Sequence, residues 1–215
     1  MVCEIDPTTS KIVAKILLRT GAVIIRPDYP FMFRSGLRSP IYCDSRLIIS
    51  YPDKRKVIAG IMVKAVREMI DSCNIDTIAG TASSGIPWAA WVADELNLPM
   101  VYIRERPKEH GVFHQLEGRL GEGQKVVVIE DLISTGFSSI STANVVREHG
   151  GSVEWCLSIM TYQMAAARKA FGEDKIQLCA LCDARILLQV ASEMKLIEAA
   201  TKLNIRTWLD QVGQE

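Results

Sequence analysis

The sequence has no long apolar run, no block of basic residues and no secretion signal, and each absence excludes a class of protein. No stretch approaches the roughly 20 apolar residues of a membrane-spanning helix. Lysine and arginine together number 25, as do aspartate and glutamate, without a basic block, so nucleic acid is not an expected partner. The first residues, MVCEIDPTTSK, lack a charged-then-apolar signal pattern. We therefore expect a cytoplasmic protein that binds neither nucleic acid nor a membrane.

The chain contains six cysteines. Because no secretion signal accompanies them, reduced thiols are expected rather than disulfides. Cys179 and Cys182 form a C-x-x-C, a spacing found in zinc and redox sites. The pair lies in a predicted buried strand, Ile176 to Cys182, without a second C-x-x-C or a histidine pair. This context favours core cysteines over zinc or redox chemistry.

The most informative stretch, Lys125 to Ser139, reads KVVVIEDLISTGFSS. Its apolar, β-branched residues at 126–129 predict a strand buried on both faces of a parallel sheet. Two acids, Glu130 and Asp131, follow this run directly. Carboxylates only accept hydrogen bonds, so a neighbouring pair suits two adjacent hydroxyl groups or a divalent cation.

A turn rich in hydroxyl groups and glycine follows the acids and leads into a helix predicted from Ser138 to His149. Unpaired N–H groups and the helix dipole at such a helix start favour a phosphate. Together with the acids, the turn predicts a ligand that has a phosphate and a nearby vicinal diol, such as ribose 5-phosphate. Ordinary helix capping is one alternative. A P-loop nucleotide site is another, but it requires G-x-x-x-x-G-K-[ST], which the sequence lacks.

A second turn of small residues, Gly80 to Gly85, lies between a strand predicted at Ile75 to Ala79 and a helix predicted at Ile86 to Leu96. The same phosphate argument applies to this turn. Two such turns at one edge of a sheet fit a ligand that carries phosphate groups at both ends.

A long segment without clear periodicity connects the strand predicted at Pro99 to Ile103 with the central strand. Such long loops in compact domains are usually functional or disordered. Dense hydrogen-bond donors in this segment predict a lid that closes over a polyanion, and a solvated charged loop is the alternative. The donors are Arg104, Arg106, Lys108 and His110.

Residues 31–46 contain short strand-like pieces interrupted by Gly36 and Pro40. If this segment folds over the sheet edge, it presents two cations, Arg34 and Arg38, and the aromatic face of Tyr42 to an anionic planar ligand. A plain hairpin with solvated arginines is the alternative.

The remaining sequence continues an alternation of strands and helices. Strands are predicted at Val153 to Thr161 and Ile176 to Cys182, and helices at 57–71, 163–171, 184–197 and 201–212. Short links between these elements predict an α/β fold in which helices cover both faces of a parallel sheet. Ligands of such sheets bind beyond the carboxyl ends of the strands, where the turns described above fall.

Along nearly its whole length the chain resembles the orotate phosphoribosyltransferases, which are type I phosphoribosyltransferases. The matching pieces are FRSGLRSPIYCDSR, IAGTASSGIP, RERPKEHG, VVVIEDLISTG and LCDARILLQVA. The resemblance implies the type I phosphoribosyltransferase fold, a central parallel sheet flanked by helices with a small N-terminal hood. It implies one domain over residues 1–215, with the hood mainly at about 20–50 plus C-terminal segments and a mobile lid at about 104–123.

The resemblance also implies roles for the matched residues. The two acids would hold the ribose hydroxyls of phosphoribosyl diphosphate (PRPP), and Mg²⁺ would arrive on PRPP without a direct protein ligand. The implied catalytic residues are Lys108, His110, Arg104 and Asp131. The implied PRPP-binding residues are Arg104, Lys108, His110, Glu130, Asp131, Leu132, Ile133, Ser134, Thr135, Gly136, Phe137 and Ser138. The implied pyrophosphate loop is Thr81, Ala82, Ser83 and Ser84, and the implied orotate-binding residues are Ser134, Arg34 and Tyr42.

The activity implied by the resemblance is transfer of the 5-phosphoribosyl group from PRPP to orotate in UMP biosynthesis, by a homodimer in which each lid completes the neighbouring site. A non-catalytic PRPP-sensing regulator is one alternative, and the lid residues Arg104, Lys108 and His110 favour the enzyme over it. A phosphoribosyltransferase for another nucleobase is the second alternative. It stays open because Arg34 stands where many relatives have lysine and because Phe137 is bulky.

Overall fold

A computed structural model of the chain describes residues 5–33, 36–106 and 115–214. The helices are α1 Pro7–Arg19, α2 Pro52–Cys73, α3 Ile86–Leu96, α4 Phe137–Glu148, α5 Ala165–Glu173, α6 Ala184–Glu193 and α7 Ala199–Val212. The strands are β1 Val23–Ile25, β2 Phe31–Met32, β3 Arg38–Ser39, β4 Ile41–Cys43, β5 Thr77–Thr81, β6 Met100–Ile103, β7 Leu116–Glu117, β8 Lys125–Ile133, β9 Ser152–Thr161 and β10 Gln177–Asp183, and a 3₁₀ helix spans Ser45–Ser50. Within these described residues no helix is both long enough and apolar enough to span a membrane.

The main sheet has six strands in the order β10-β9-β8-β5-β6-β7. Neighbouring strands are parallel except β7, which is antiparallel to β6. The predicted parallel α/β sheet is thus confirmed, and β8, which carries the two acids, lies in its interior between β9 and β5. β7 falls inside the predicted lid, where a two-residue strand is too short to leave an alternating pattern in the sequence.

The apolar run of β8 is buried on both faces of the sheet, as its sequence predicts. Val127 and Ile129 belong to one hydrophobic cluster, which includes residues of α1, α2, α3, α6 and α7. Val126 and Val128 belong to a second cluster, which includes residues of α4 and α5. Since successive side chains of a strand point to opposite faces, this division follows from strand geometry. Helices therefore cover the sheet on both sides.

Several element boundaries differ from the sequence-based prediction. Helix α2 begins at Pro52, before the expected start at Val57. Strand β8 continues through the two acids to Ile133, because its pairing with β9 extends to the register of Ile133 with Thr161. The acids therefore lie inside the strand rather than after it. Because the two acids interrupt the apolar run of β8, the sequence pattern ends before the backbone pairing does. The predicted strand is therefore too short.

Strands β1 to β4 and the 3₁₀ helix form a small substructure that we call the hood. β1 pairs with β4 and β2 with β3, both antiparallel. The hood contacts the carboxyl ends of β8 and β9, since Ser45 bonds to Asp131 and the Cys43 N–H donates to the hydroxyl of Tyr162 at 3.2 Å. Helix α7 also contacts the hood, because the indole N–H of Trp208 donates to the carbonyl of residue 38 at 2.8 Å.

Among the described residues, the expectation of reduced cysteines is wrong at one position. Cys179 is disulfide-bonded, whereas Cys43, Cys73, Cys156 and Cys182 are free thiols. The two cysteines of the C-x-x-C are therefore not joined to each other. A missing secretion signal bears on the redox compartment, but disulfide formation also requires two adjacent sulfur atoms, and spacing in the sequence does not show which ones fold together.

Candidate active site

Two turns meet at the carboxyl edge of the sheet. Strands β5 and β8 are adjacent and parallel, with Gly80 opposite Ile129. Since β5 ends at Thr81 and β8 at Ile133, the turns at 81–85 and 134–138 leave the same edge of neighbouring strands. The structure thus brings together the two segments that the sequence predicts as phosphate sites.

The turn after β8 leaves backbone donors unpaired. Gly136 has a φ of 83°, and a β-carbon there would lie 2.9 Å from Cε2 of Phe171, so glycine is required on both grounds. No acceptor among the described residues is paired with the N–H groups of 134–136. Helix α4 begins at Phe137, and the first N–H groups of a helix lack intrahelical acceptors. The side chain of Phe137 is 80% exposed, so its ring lies in solvent.

The turn after β5 is held by its own backbone. The N–H of Ala82 donates to the last carbonyl of β6, and the N–H of Gly85 donates to the carbonyl of Thr81, both at 2.9 Å. In the described part of the chain, the N–H groups of Ser83 and Ser84 have no acceptor. This turn therefore has the chemistry for a second anionic group next to the first.

The side chains of the two acids lie in different surroundings. Asp131 is half-buried at the sheet edge, where its Oδ2 accepts a hydrogen bond from the hydroxyl of Ser45. Glu130 is only 4% exposed. Its Oε1 accepts from the N–H of Asp131 at 3.1 Å and its Oε2 from the hydroxyl of Ser139 at 3.3 Å. The sequence predicts that both acids meet a ribose, but the structure presents Asp131 at the edge and Glu130 inside, because adjacent strand residues face opposite sides.

Burial raises the pKa of the Glu130 carboxyl well above its ordinary value, and the negative charge of Asp131 adds to the rise. In the pH range between the ordinary and the raised pKa, the folded protein keeps a proton that the unfolded chain releases. The stability linked to this proton is fully present below the ordinary pKa and is lost as the pH rises through the raised pKa.

Glu130→Gln should therefore raise the thermal stability, and by more at pH 8 than at pH 5. Glutamine accepts from the Asp131 N–H and donates to the Ser139 hydroxyl, but it never ionises. We expect a Tm gap of a few degrees at pH 8, at about 2–4 °C per kcal/mol for a chain of this size, which closes towards pH 5. Glu154→Gln, at an exposed position of β9, is the matched control and should leave the Tm unchanged. An equal Tm shift at every pH would contradict the argument.

Among the remaining predicted site residues, Arg104 and Tyr42 are described. The guanidinium of Arg104 pairs with Glu117 of β7, with 3.4 Å between Nη1 and Oε1 and a side chain 42% exposed. Tyr42 lies on β4, half-buried, with its ring centroid 5.2 Å from that of Phe31. Three further predicted residues fall outside the described ranges: Arg34, Lys108 and His110.

One residue that touches the site was not predicted. Ser45 bonds to Asp131 across 86 positions. A contact between residues so far apart in the chain leaves no local pattern, so composition and periodicity alone could not find it.

Comparison with known proteins places these residues in context. Residues 50–184 match a family model described as the phosphoribosyl transferase domain. The orotate phosphoribosyltransferase of Bacillus cytotoxicus is 43% identical over 205 residues, which cover 95% of this chain and 97% of that protein. The crystal structure of orotate phosphoribosyltransferase from Aeropyrum pernix matches with a TM-score of 0.73 and 26% identity, over 86% of this chain and 99% of that one. The UMP synthase of Leishmania donovani matches 94% of this chain with a TM-score of 0.81 and 26% identity, and the match spans 42% of that longer chain.

Proposed function

This chain belongs to the orotate phosphoribosyltransferase branch of the phosphoribosyltransferase family, and from that premise we propose its reaction and the roles of its residues. It is a transferase that moves the 5-phosphoribosyl group of PRPP onto orotate, which yields orotidine 5′-phosphate and pyrophosphate for UMP synthesis. One structural observation carries the assignment of the site. Two turns with unpaired N–H groups lie at the same edge of the sheet as a partly exposed carboxylate, Asp131.

The phosphate groups and the diol of PRPP correspond to these three features. We assign the 5-phosphate to the turn at 134–138, where the start of α4 supplies donors and a favourable dipole. The pyrophosphate is assigned to residues 81–84. The ribose diol is assigned to Asp131, whose strand β8 ends in the first turn and pairs with the strand that ends in the second. Glu130 supports Asp131 from inside by accepting a hydrogen bond from the Asp131 N–H.

Orotate is assigned to the space beside the hood. Tyr42 on β4 supplies an aromatic face, Arg34 a cation for the orotate carboxylate, and Ser134 a hydroxyl at the end of β8. The contact between the hood and the carboxyl edge, through Ser45 and Asp131, supports this location. The lid at about 104–123, with Arg104, Lys108 and His110, would close over the pyrophosphate, in a homodimer from the neighbouring subunit. A cytoplasmic location is part of the same proposal.

The protein accelerates the reaction by stabilising the charges that develop on the substrate in the transition state. The bond between the anomeric carbon and a pyrophosphate oxygen breaks while a bond to a ring nitrogen of orotate forms, and that nitrogen loses its proton. Positive charge grows on the ribose ring and negative charge on the leaving group. The Asp131 carboxylate offsets the first, and the cations of the lid offset the second. Lys108 and His110 can also donate a proton or hydrogen bond to the departing oxygen.

Mg²⁺ fits this site as an ion bound mainly by the substrate. Among the described residues no group of three or more histidine, cysteine, aspartate or glutamate side chains could hold a metal ion. Mg²⁺ commonly uses one or two carboxylates plus substrate phosphates, and Asp131 is the partly exposed carboxylate of the motif. When bound, the ion would neutralise part of the pyrophosphate charge.

The assay is consumption of orotate by the purified protein with PRPP and Mg²⁺, followed by orotate absorbance and by pyrophosphate release. We expect turnover of orotate and none of hypoxanthine or adenine. Turnover of hypoxanthine or adenine but not orotate would reject the base assignment. Binding of PRPP without turnover of any base would instead support a PRPP-sensing regulator.

A further inference from the structure

Ser45 is a buried hood residue that contacts a carboxylate of the proposed ribose site. It is 0% exposed and is the first residue of the 3₁₀ helix. Its hydroxyl donates to Oδ2 of Asp131. The neighbouring Glu130 carboxyl, when it is protonated, also donates to the Asp131 carboxylate. Ser45 thus fixes one oxygen of a carboxylate that has further lone pairs with which to accept from a ligand.

The segment around Ser45 is itself fixed by hydrogen bonds. Asp44 accepts from the Arg46 backbone N–H at 3.2 Å and from its guanidinium at 2.6 and 2.9 Å. The N–H of Cys43 donates to the hydroxyl of Tyr162, which follows β9. Ser45 is therefore held on both sides in the chain and has little freedom to follow Asp131 if that side chain rotates. The fixed hood segment therefore determines the orientation of the Asp131 carboxylate, and not the reverse.

We propose that Ser45 is a positioning residue for ribose recognition, which holds Asp131 in the rotamer that presents its carboxylate to the diol of PRPP. The inference rests on the proposed function, because it takes Asp131 as the diol acceptor. Ser45 also lies three residues after Tyr42, the proposed orotate contact on β4. The same short segment therefore connects the base side of the site with the ribose side.

The first test is Ser45→Ala, with KM for PRPP, KM for orotate and kcat measured separately. Losing a hydrogen bond to a charged group should raise the KM for PRPP about tenfold, while the KM for orotate stays within about twofold. Ser39→Ala is the matched control, since Ser39 is also a fully buried hood serine but its hydroxyl donates to the carbonyl of Ile41 at 2.6 Å. That control should leave the KM for PRPP unchanged. A wild-type KM for PRPP in Ser45→Ala would overturn the proposal.

A double-mutant cycle separates positioning from general destabilisation. If Ser45 acts through Asp131, adding Ser45→Ala to Asp131→Ala, which removes the acceptor, should cost little beyond Asp131→Ala alone. An equal loss in both backgrounds means that Ser45 acts through the fold, which rejects the proposal. Ser45→Cys keeps the buried volume with a weaker donor and should give an intermediate KM, which covers the case in which the alanine variant does not fold.

The inference can fail separately from the proposed function. If the wild-type protein binds PRPP with Mg²⁺ but turns over no orotate, the reaction assignment fails while the dissociation constant of PRPP still tests Ser45. A tenfold weaker dissociation constant in Ser45→Ala then supports positioning, and an unchanged one rejects it.

Discussion

Asp131→Asn should lower kcat/KM for PRPP by about 100- to 1000-fold, the range typical of removing one electrostatic stabiliser of a transition state. Asparagine keeps the shape of the side chain, and its carbonyl oxygen can still accept from Ser45. It loses the negative charge that opposes the positive charge on the ribose ring. It also replaces one acceptor oxygen by an N–H₂ donor, which a diol hydroxyl cannot donate to. Because the charge on the ring develops during the reaction, kcat should fall as well as affinity.

Steady-state kinetics with PRPP and orotate varied in turn measures the effect. Asp76→Asn is the matched control, because Asp76 is exposed, precedes β5 at the opposite end of the sheet and bonds through its carboxylate to the N–H of Lys125 at 2.8 Å. We expect that variant to retain wild-type kcat/KM. A loss below about tenfold in Asp131→Asn would remove Asp131 from the reacting centre, and with it the assignment of the diol.

The parts of this fold that could be predicted are those with a local physical cause. The apolar run 126–129 must be buried on both faces, and the two hydrophobic clusters receive its residues alternately. The helix over Ile86–Leu96 has the predicted bounds. The two turns could be located because glycine and hydroxyl residues concentrate where a strand passes into a helix, and parallel topology then places them at one edge.

The parts that could not be predicted depend on contacts between distant residues or on the end of backbone pairing. Adjacent acids in a sequence look equivalent, and only the continuation of β8 through both of them places Glu130 inside and Asp131 at the edge. The bond from Ser45 to Asp131 joins two segments that share no pattern. The disulfide at Cys179 likewise depends on two sulfur atoms lying close together in the fold. The absence of a secretion signal, from which reduced cysteines were expected, carries no information about such proximity.

Gly85→Ala should cost about 3 kcal/mol of folding free energy or more, as overpacking against rigid neighbours does. A β-carbon on Gly85 would lie 2.5 Å from the carbonyl oxygen of Ile129 and 2.8 Å from that of Thr81. Both contacts are backbone atoms of β8 and β5, so no side chain can rotate away. The start of α3 would have to move off the sheet. The same shift would displace the proposed pyrophosphate turn, so affinity for PRPP should also fall.

Gly60→Ala is the opposite case and serves as the control, since Gly60 lies within α2 and a β-carbon there meets nothing within 4 Å. Alanine reduces the entropy of the unfolded chain and favours the helix, so this variant should be about 0.5–1 kcal/mol more stable. Urea unfolding at one protein concentration measures both changes, because a constant slope with a shifted midpoint reports stability alone. Opposite signs are the expected result. An unchanged urea midpoint for Gly85→Ala would contradict this prediction. It would mean that the turn can accommodate a β-carbon at residue 85 and that the fold does not require the close approach of α3 to β8.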